Sequence, residues 1–183
     1  MQLYLTRHGE TNYNVLGLAN DDPAANVHLT ARGIRQAENL ARRLRTVPLE
    51  LIVVSQLPRT HQTAAVVNRH HRVEIREHPG INDLRTGFNG RPAMLHHEAI
   101  AADPLHIKPE GGESILEHKQ RVLHFIDWLT GLDHETVLVV THEAPLRVCI
   151  AHFSGLPDEL MLGIRTDHCE LFQFAVPRRY LSA

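Results

Sequence analysis

The chain has 183 residues, a formal net charge of −2, 43% hydrophobic residues and 22% charged residues. This composition is typical of a globular protein with one core, and the absence of a basic excess argues against a nucleic-acid or membrane-surface binder. No apolar run approaches the roughly 20 residues that cross a bilayer, and the N-terminus lacks a signal-peptide pattern. We therefore expect a cytoplasmic protein with a single domain over residues 1–183.

The sequence gives no sign of a metal site or cofactor. Its two cysteines, Cys149 and Cys169, lie in apolar segments and are expected to be buried free thiols. The 15 histidines lack zinc-binding spacing, because Leu146 stands where a His-Glu-x-x-His motif beginning at His142 would place its second histidine. We expect a protein that needs neither metal nor cofactor.

Hydrophobic periodicity predicts strands that alternate with helices along the whole chain. The predicted strands are 3–6, 51–54, 73–75, 137–140 and 171–176, and the predicted helices are 31–45, 59–69, 93–102, 114–129 and one that begins near Pro145. Thr30 and Ser114 stand at N-cap positions. The alternation predicts an α/β fold with a mostly parallel sheet. Residues 78–113 are rich in Gly and Pro, and we expect them to form an excursion over the active site.

Three of the predicted strands end at polar residues. Arg7 and His8 follow the first, Ser55 and Arg59 follow the second, and His142 follows the third. Ligands of open α/β sheets bind outside the carboxyl ends of the strands, where the following helices direct backbone N–H groups. A lone Arg-His pair is usually a surface feature. Here polar residues follow three strands, and together they predict two arginines and two histidines around one bound anion.

The residues at these ends also carry a family resemblance. Arg7-His8-Gly9-Glu10-Thr11-x-x-Asn14 resembles the signature of the histidine phosphatase (phosphoglycerate mutase-like) superfamily. The resemblance continues in order through Leu29-Thr30-x-x-Gly33-x-x-Gln36-Ala37, Ser55-x-Leu57-x-Arg59-Thr60-x-Gln62-Thr63-Ala64, Gly112-Glu113-Ser114 and Thr141-His142-x-x-x-x-Arg147. It implies a three-layer α/β/α sandwich and a metal-independent phosphomonoesterase that acts on a small phosphorylated metabolite.

The resemblance also implies roles for individual residues. His8 would be the nucleophile that becomes phosphorylated, and Arg7, Arg59 and His142 would form the phosphate pocket, with Asn14 as a further contact. Phosphoryl transfer depends on fixed donors around the transferred oxygens, and arginine supplies them in pairs. A nucleophilic imidazole must be neutral, and neighbouring cations favour that state.

The general acid is the point where the sequence departs from the family pattern. The family usually places a Glu before a Gly-rich turn, whereas the matching stretch here carries Asp83 and is one residue shorter. An anionic substrate would favour protonated Asp83, which could then protonate the leaving oxygen. Glu10 is the reserve candidate. Glu143 stands where the family often has Gly, and its backbone N–H is expected to contact substrate while its side chain adds a negative charge.

Two other readings remain open. One is a phosphoglycerate mutase, although residues 78–113 offer just Arg85, Arg91 and Lys108 as cations for a bisphosphorylated intermediate. The other is a catalytically weak phospholigand-binding or regulatory protein. His96, His97 and His106 are candidates for the entrance of the site, and the sequence leaves a homodimer open.

Overall fold

The computed structural model describes residues 1–177; residues 178–183, the last of the predicted domain, lie outside the described part. Strands and helices alternate as predicted. The strands are β1 (Gln2–Arg7), β2 (Leu51–Val54), β3 (Glu74–Glu77), β4 (Thr136–Thr141) and β5 (Leu171–Ala175). The helices are α1 (Asn12–Leu16), α2 (Ala31–Leu44), α3 (Pro58–His71), α4 (Met94–Ala99), α5 (Ile115–Thr130), α6 (Glu143–Ser154) and α7 (Asp158–Met161), with a 3-10 turn at Pro79–Ile81.

The strands form one sheet in the order β3-β2-β4-β1-β5. All neighbours are parallel except β5, which runs antiparallel to β1 at one edge. The prediction of a mostly parallel sheet is confirmed. The third strand was predicted at 73–75 but spans Glu74–Glu77, because its pairing to β2 at this edge extends beyond its short apolar stretch.

Helices cover both faces of the sheet and give the three predicted layers. Leu5, Val53 and Val139 pack with α5, α6 and α7 on one face. Ile52 and Leu138 pack with α2 and α3 on the other. Alternate residues of a strand point to opposite faces, so a strand buried on both sides is apolar throughout, as β2 is.

Helix starts are fixed by the predicted caps. The Thr30 side chain accepts a hydrogen bond from the Gly33 amide, and Ser114 forms a capping box with Glu117. Within residues 1–177, no helix combines the length and apolar character needed to cross a membrane.

Strand register brings the predicted site residues to one edge. Arg7 of β1 pairs with Thr141 of β4, and Val54 of β2 pairs with Val140. His8, Ser55 and His142 are therefore the next residues at three adjacent strand ends. The convergence inferred from the sequence follows directly from this parallel register.

Candidate active site

His8 follows β1 and is buried, with 2% of its surface exposed. Its backbone N–H donates to the Thr141 carbonyl (2.9 Å), and its Nδ1 lies 2.7 Å from the Gly9 carbonyl. A carbonyl can only accept, so this contact assigns the proton to Nδ1 and leaves a lone pair on Nε2. Burial, together with the nearby Arg59 cation, lowers the His8 pKa well below 6.5. The ring is neutral, as a nucleophile requires.

Gly9 allows the chain to turn tightly after His8. A Cβ on Gly9 would lie 2.5 Å from the Gly33 carbonyl oxygen, closer than real side-chain contacts allow. A Cβ on Gly33 would in turn strike the Glu10 carbonyl. The two glycines let the first turn of α2 pack directly on the backbone beside the candidate nucleophile.

Arg59, in the first turn of α3, connects most of the polar groups in the site. It is 4% exposed, and its Nε donates to His8 Nε2 at 3.1 Å and to His142 Nδ1 at 3.2 Å. Its terminal nitrogens donate to the Asn20 side chain (2.8 Å) and to Asp83 Oδ2 (2.9 Å). Each side of the planar guanidinium group is thus fixed by a different segment.

His142 is fully buried at the end of β4 and its tautomer is set by its neighbours. Arg59 donates to Nδ1, so Nε2 carries the proton and donates to Ser55 Oγ at 2.8 Å. Ser55 can then donate to Thr60 Oγ1 (3.0 Å), which donates to the Leu57 carbonyl (2.9 Å). Burial and the Arg59 cation lower the His142 pKa well below 6.5.

The buried neutral histidines make stability depend on pH. Burial lowers the pKa values of His8, His118 and His142 below 6.5, so the unfolded chain binds more protons than the folded one at mildly acidic pH. The free energy of unfolding should therefore fall as the pH drops below 6.5, and these three groups alone contribute a limiting slope of about 4 kcal/mol per pH unit. Urea unfolding at about pH 7.5, 6.5 and 5.5 measures this slope. Equal free energies at all three values would contradict the neutral assignment.

Arg7 is held from two sides. Its NH1 donates to the Thr166 carbonyl at 2.8 Å and lies 3.0 Å from Glu143 Oε2. Its Nε is buried and has no hydrogen-bond partner within residues 1–177. A buried donor without a partner is costly, and a bound anion would satisfy it. Glu143 also pairs with Arg147, so its negative charge is balanced between two guanidinium groups.

Asp83 lies at the mouth of the site, bonded through Oδ2 to Arg59 and 3.6 Å from His142 Nδ1. Its backbone is held by Arg121 of α5. The Arg121 guanidinium donates to the carbonyls of Pro79, Gly80, Asn82 and Asp83 and to the buried Glu113 carboxylate. This network fixes the backbone from Pro79 to Asp83, so the aspartate reaches the site although its side chain is one methylene shorter than glutamate.

The remaining predicted residues take different positions. Asn14 lines the cleft, but its Oδ1 is engaged by the Thr11 backbone N–H (3.0 Å) and by His168 Nε2 (3.1 Å). Glu10 pairs with Arg32 and accepts from the Thr30 hydroxyl, away from the cleft lining. It has a structural role in place of the reserve catalytic role.

The cleft has a volume of about 210 Å³ and includes His96 and His97 of residues 78–113 in its lining. Leu84 and Thr86 of the same segment also line it. His106 does not; it is exposed and bonded to Asp103. Within residues 1–177 no three His, Cys, Asp or Glu side chains are grouped as a metal site would need.

Two residues of the site were not foreseen from the sequence. Asn20, in the loop before α2, holds Arg59 through its side chain and its carbonyl. The ring of His168 lies 5.7 Å from the ring of His8, and burial together with the Arg7 cation lowers its pKa to about 4. Neither belongs to a motif of the family resemblance, and both reach the site through loops whose path the sequence does not specify.

The chain is similar to known proteins over most of its length. Residues 3–179 match the model of the Histidine phosphatase superfamily (branch 1). The "Adenosylcobalamin/alpha-ribazole phosphatase" of Escherichia coli (strain K12) is 36% identical over 179 residues, covering 91% of this chain and 86% of that protein. The crystal structure of the alpha-ribazole phosphatase from Shigella flexneri superposes with a TM-score of 0.87 at 31% identity, covering 98% of this chain and 93% of that one. "Probable phosphoglycerate mutase GpmB" of Proteus mirabilis is 29% identical, with 93% and 83% coverage.

The chain belongs to the histidine phosphatase superfamily. It is a phosphoric monoester hydrolase of the metal-independent type, and the prediction of a phosphomonoesterase that acts on a small phosphorylated compound is confirmed.

Proposed function

We propose that this protein hydrolyses the 5′-phosphate of a riboside of the α-ribazole type, with His8 as the phosphorylated nucleophile. The observation that carries the catalytic part is the shared Arg59 Nε, which lies within 3.2 Å of both His8 Nε2 and His142 Nδ1. A guanidinium group that can bind an anion therefore lies beside the unprotonated Nε2 of His8. The substrate class is supported by the names of the E. coli and Shigella relatives.

In the first step, His8 Nε2 forms a bond to phosphorus as the bond from phosphorus to the leaving oxygen breaks. Arg59 turns its donors from the two imidazoles to the phosphoryl oxygens, and Arg7 offers its unpartnered Nε. The substrate dianion favours protonated His142, which then donates from Nδ1 while Nε2–H stays bonded to Ser55. Protonated Asp83 gives its proton to the leaving alkoxide.

In the second step, water takes the position of the departed alcohol. The Asp83 carboxylate accepts a proton from this water as its oxygen attacks phosphorus, and the bond between phosphorus and His8 Nε2 breaks. Inorganic phosphate leaves, and His8 returns to the neutral tautomer because its Nδ1–H remains bonded to the Gly9 carbonyl throughout. The hydrogen bond to Gly9 also supports the charge that His8 carries as phosphohistidine.

The charges of the cleft favour hydrolysis over a mutase reaction. Its lining contains three guanidinium groups and two carboxylates (Arg7, Arg59, Arg147, Asp83 and Glu143), so the guanidinium groups exceed the carboxylates by one. Arg7 and Arg147 already share Glu143. This lining suits one phosphoryl group, whereas a bisphosphorylated intermediate brings two. The GpmB name of the Proteus relative keeps mutase activity as the second candidate.

Product analysis separates these functions. The purified protein, with α-ribazole 5′-phosphate and without added metal, should release inorganic phosphate and α-ribazole, and a chelator should not change the rate. With 3-phosphoglycerate it should yield little 2-phosphoglycerate. Fast isomerisation of 3-phosphoglycerate would assign the mutase reaction, and binding without turnover of either compound would assign a phospholigand-binding protein.

Asp83→Asn tests the general acid. The amide cannot give a proton to the leaving oxygen, so kcat/KM for an alkyl phosphate, which reports the first step, should fall by about 10²- to 10³-fold. Because p-nitrophenolate leaves without protonation, kcat/KM for p-nitrophenyl phosphate should fall less than about tenfold. Asp103→Asn, at an exposed aspartate outside the cleft lining, is the matched control. Equal losses on both substrates would assign the proton to another group.

A further inference from the structure

A second cavity adjoins the catalytic cleft. It has a volume of about 200 Å³, and its lining shares Leu84, His96, His97, Ala144 and Arg147 with the cleft. We call it the side chamber. The two cavities are therefore neighbours. The residues that they share come from the segment 78–113 and from α6.

The side chamber is apolar where the cleft is polar. Apart from the shared residues, it is lined mainly by aliphatic side chains, including Ile100, Ile115, Val148, Met161 and Leu162. Its volume exceeds that of an apolar cavity of roughly 150 Å³ that holds benzene in another protein. A chamber of this size and character fits one planar aromatic ring.

Three polar side chains in the walls of the chamber are already engaged or uncharged. Arg147 donates to the Ile164 carbonyl (2.8 Å) and pairs with Glu143, so its cation is already engaged. His96 and His118 are 4% and 1% exposed, and burial lowers both pKa values, which keeps the rings neutral. The Nε2 atoms of both have no hydrogen-bond partner within residues 1–177. Arg165 also lines the chamber, but it is exposed, and its NH1 donates to the Leu162 carbonyl at 3.5 Å. Among the buried walls, a neutral ring with a hetero atom could meet an unpartnered imidazole nitrogen.

We propose that the side chamber binds the leaving-group ring of the substrate, a planar and largely apolar heteroaromatic group attached to the phosphorylated sugar. Phosphate then lies at His8 and Arg59, and the sugar lies beside His96 and Leu84, which line both cavities. The proposal rests on the proposed function and adds the determinant of substrate choice. Burial of one ring face and edge favours the ring-bearing substrate by roughly 10- to 100-fold in kcat/KM.

The test uses two substrates that differ only by the ring. The native protein should hydrolyse α-ribazole 5′-phosphate with a kcat/KM at least about tenfold above that for ribose 5-phosphate. Leu162→Trp places a large side chain in the chamber from a partly buried position and should bring this ratio to within about threefold of one. Leu160→Trp, an exposed position on α7 outside the chamber lining, should leave the ratio unchanged.

A second measurement needs no variant. Unphosphorylated α-ribazole should inhibit hydrolysis of ribose 5-phosphate competitively, and free ribose should not. Equal kcat/KM for the two phosphates together with no inhibition by α-ribazole would overturn the side-chamber proposal while leaving the phosphatase assignment intact. Failure to hydrolyse either phosphate would instead overturn the proposed function.

Discussion

Replacing His8 by alanine should reduce kcat at least about 10³-fold with every phosphomonoester tested. The variant lacks the nitrogen that forms the bond to phosphorus, and both ring nitrogens of the neighbouring His142 are engaged. His142 Nδ1 accepts from Arg59 and its Nε2 is bonded to Ser55. Steady-state phosphate release measures the loss.

His124→Ala is the matched control, because His124 is exposed on α5 and does not line the cleft. It should retain near-native kcat. If His8→Ala kept more than about one tenth of the native rate while folded, His8 would be a binding residue and the covalent mechanism would be wrong.

Arg59→Lys should lower kcat/KM by about 10²- to 10³-fold, with most of the loss in kcat. A lysine keeps the charge but supplies one ammonium group in place of a planar fork. It cannot contact His8, His142, Asn20 and Asp83 at once, as the native side chain does. The transferring phosphoryl group therefore loses fixed donors at the stage where its charge is most spread out.

Arg69→Lys makes the same chemical change on the same helix, at an exposed position, and should leave both kcat and KM unchanged. If Arg59→Lys raised KM and left kcat unchanged, the guanidinium group would bind substrate and transition state equally. It would then not favour the transition state, contrary to the role proposed here.

The strand ends were predictable because their physical signal is local. An apolar run that stops at Arg7-His8 or at Thr141-His142 specifies a buried strand and the residue that leaves it. The parallel register then brings His8 and His142 to neighbouring positions without further information. Ser55 and Arg59 follow from the same reasoning, applied to the next strand and the helix after it.

The loop contacts were not predictable in the same way. Asn20 reaches Arg59, and His168 approaches His8 across most of the chain, through segments that lack periodicity. The hydrogen bonds from Arg121 to backbone carbonyls are a further example. The sequence shows Arg121 only as a cation on an amphipathic helix, and its bonds to Pro79 and Gly80 depend on how the turn at Pro79–Ile81 packs against α5. Such contacts depend on loop paths that are set by tertiary packing.

The departures from the family pattern have structural compensations. Glu143 brings a carboxylate to the start of α6, and Arg7 and Arg147 both pair with it. The stretch 81–90, which is one residue shorter than the family pattern, still places Asp83 against Arg59, because Arg121, itself bonded to Glu113, holds the Asp83 carbonyl. These compensations support a working catalytic site over a weak ligand-binding protein.

The identity of the phosphorylated residue is tested most directly by trapping the intermediate. The protein is mixed with substrate, quenched in alkali within one turnover, digested and mapped by mass spectrometry. One phosphoryl group should appear on the peptide that contains His8, should be lost on brief acid treatment, and should be absent from His8→Ala. A phosphoryl group on another residue, or an adduct stable to acid, would contradict the mechanism.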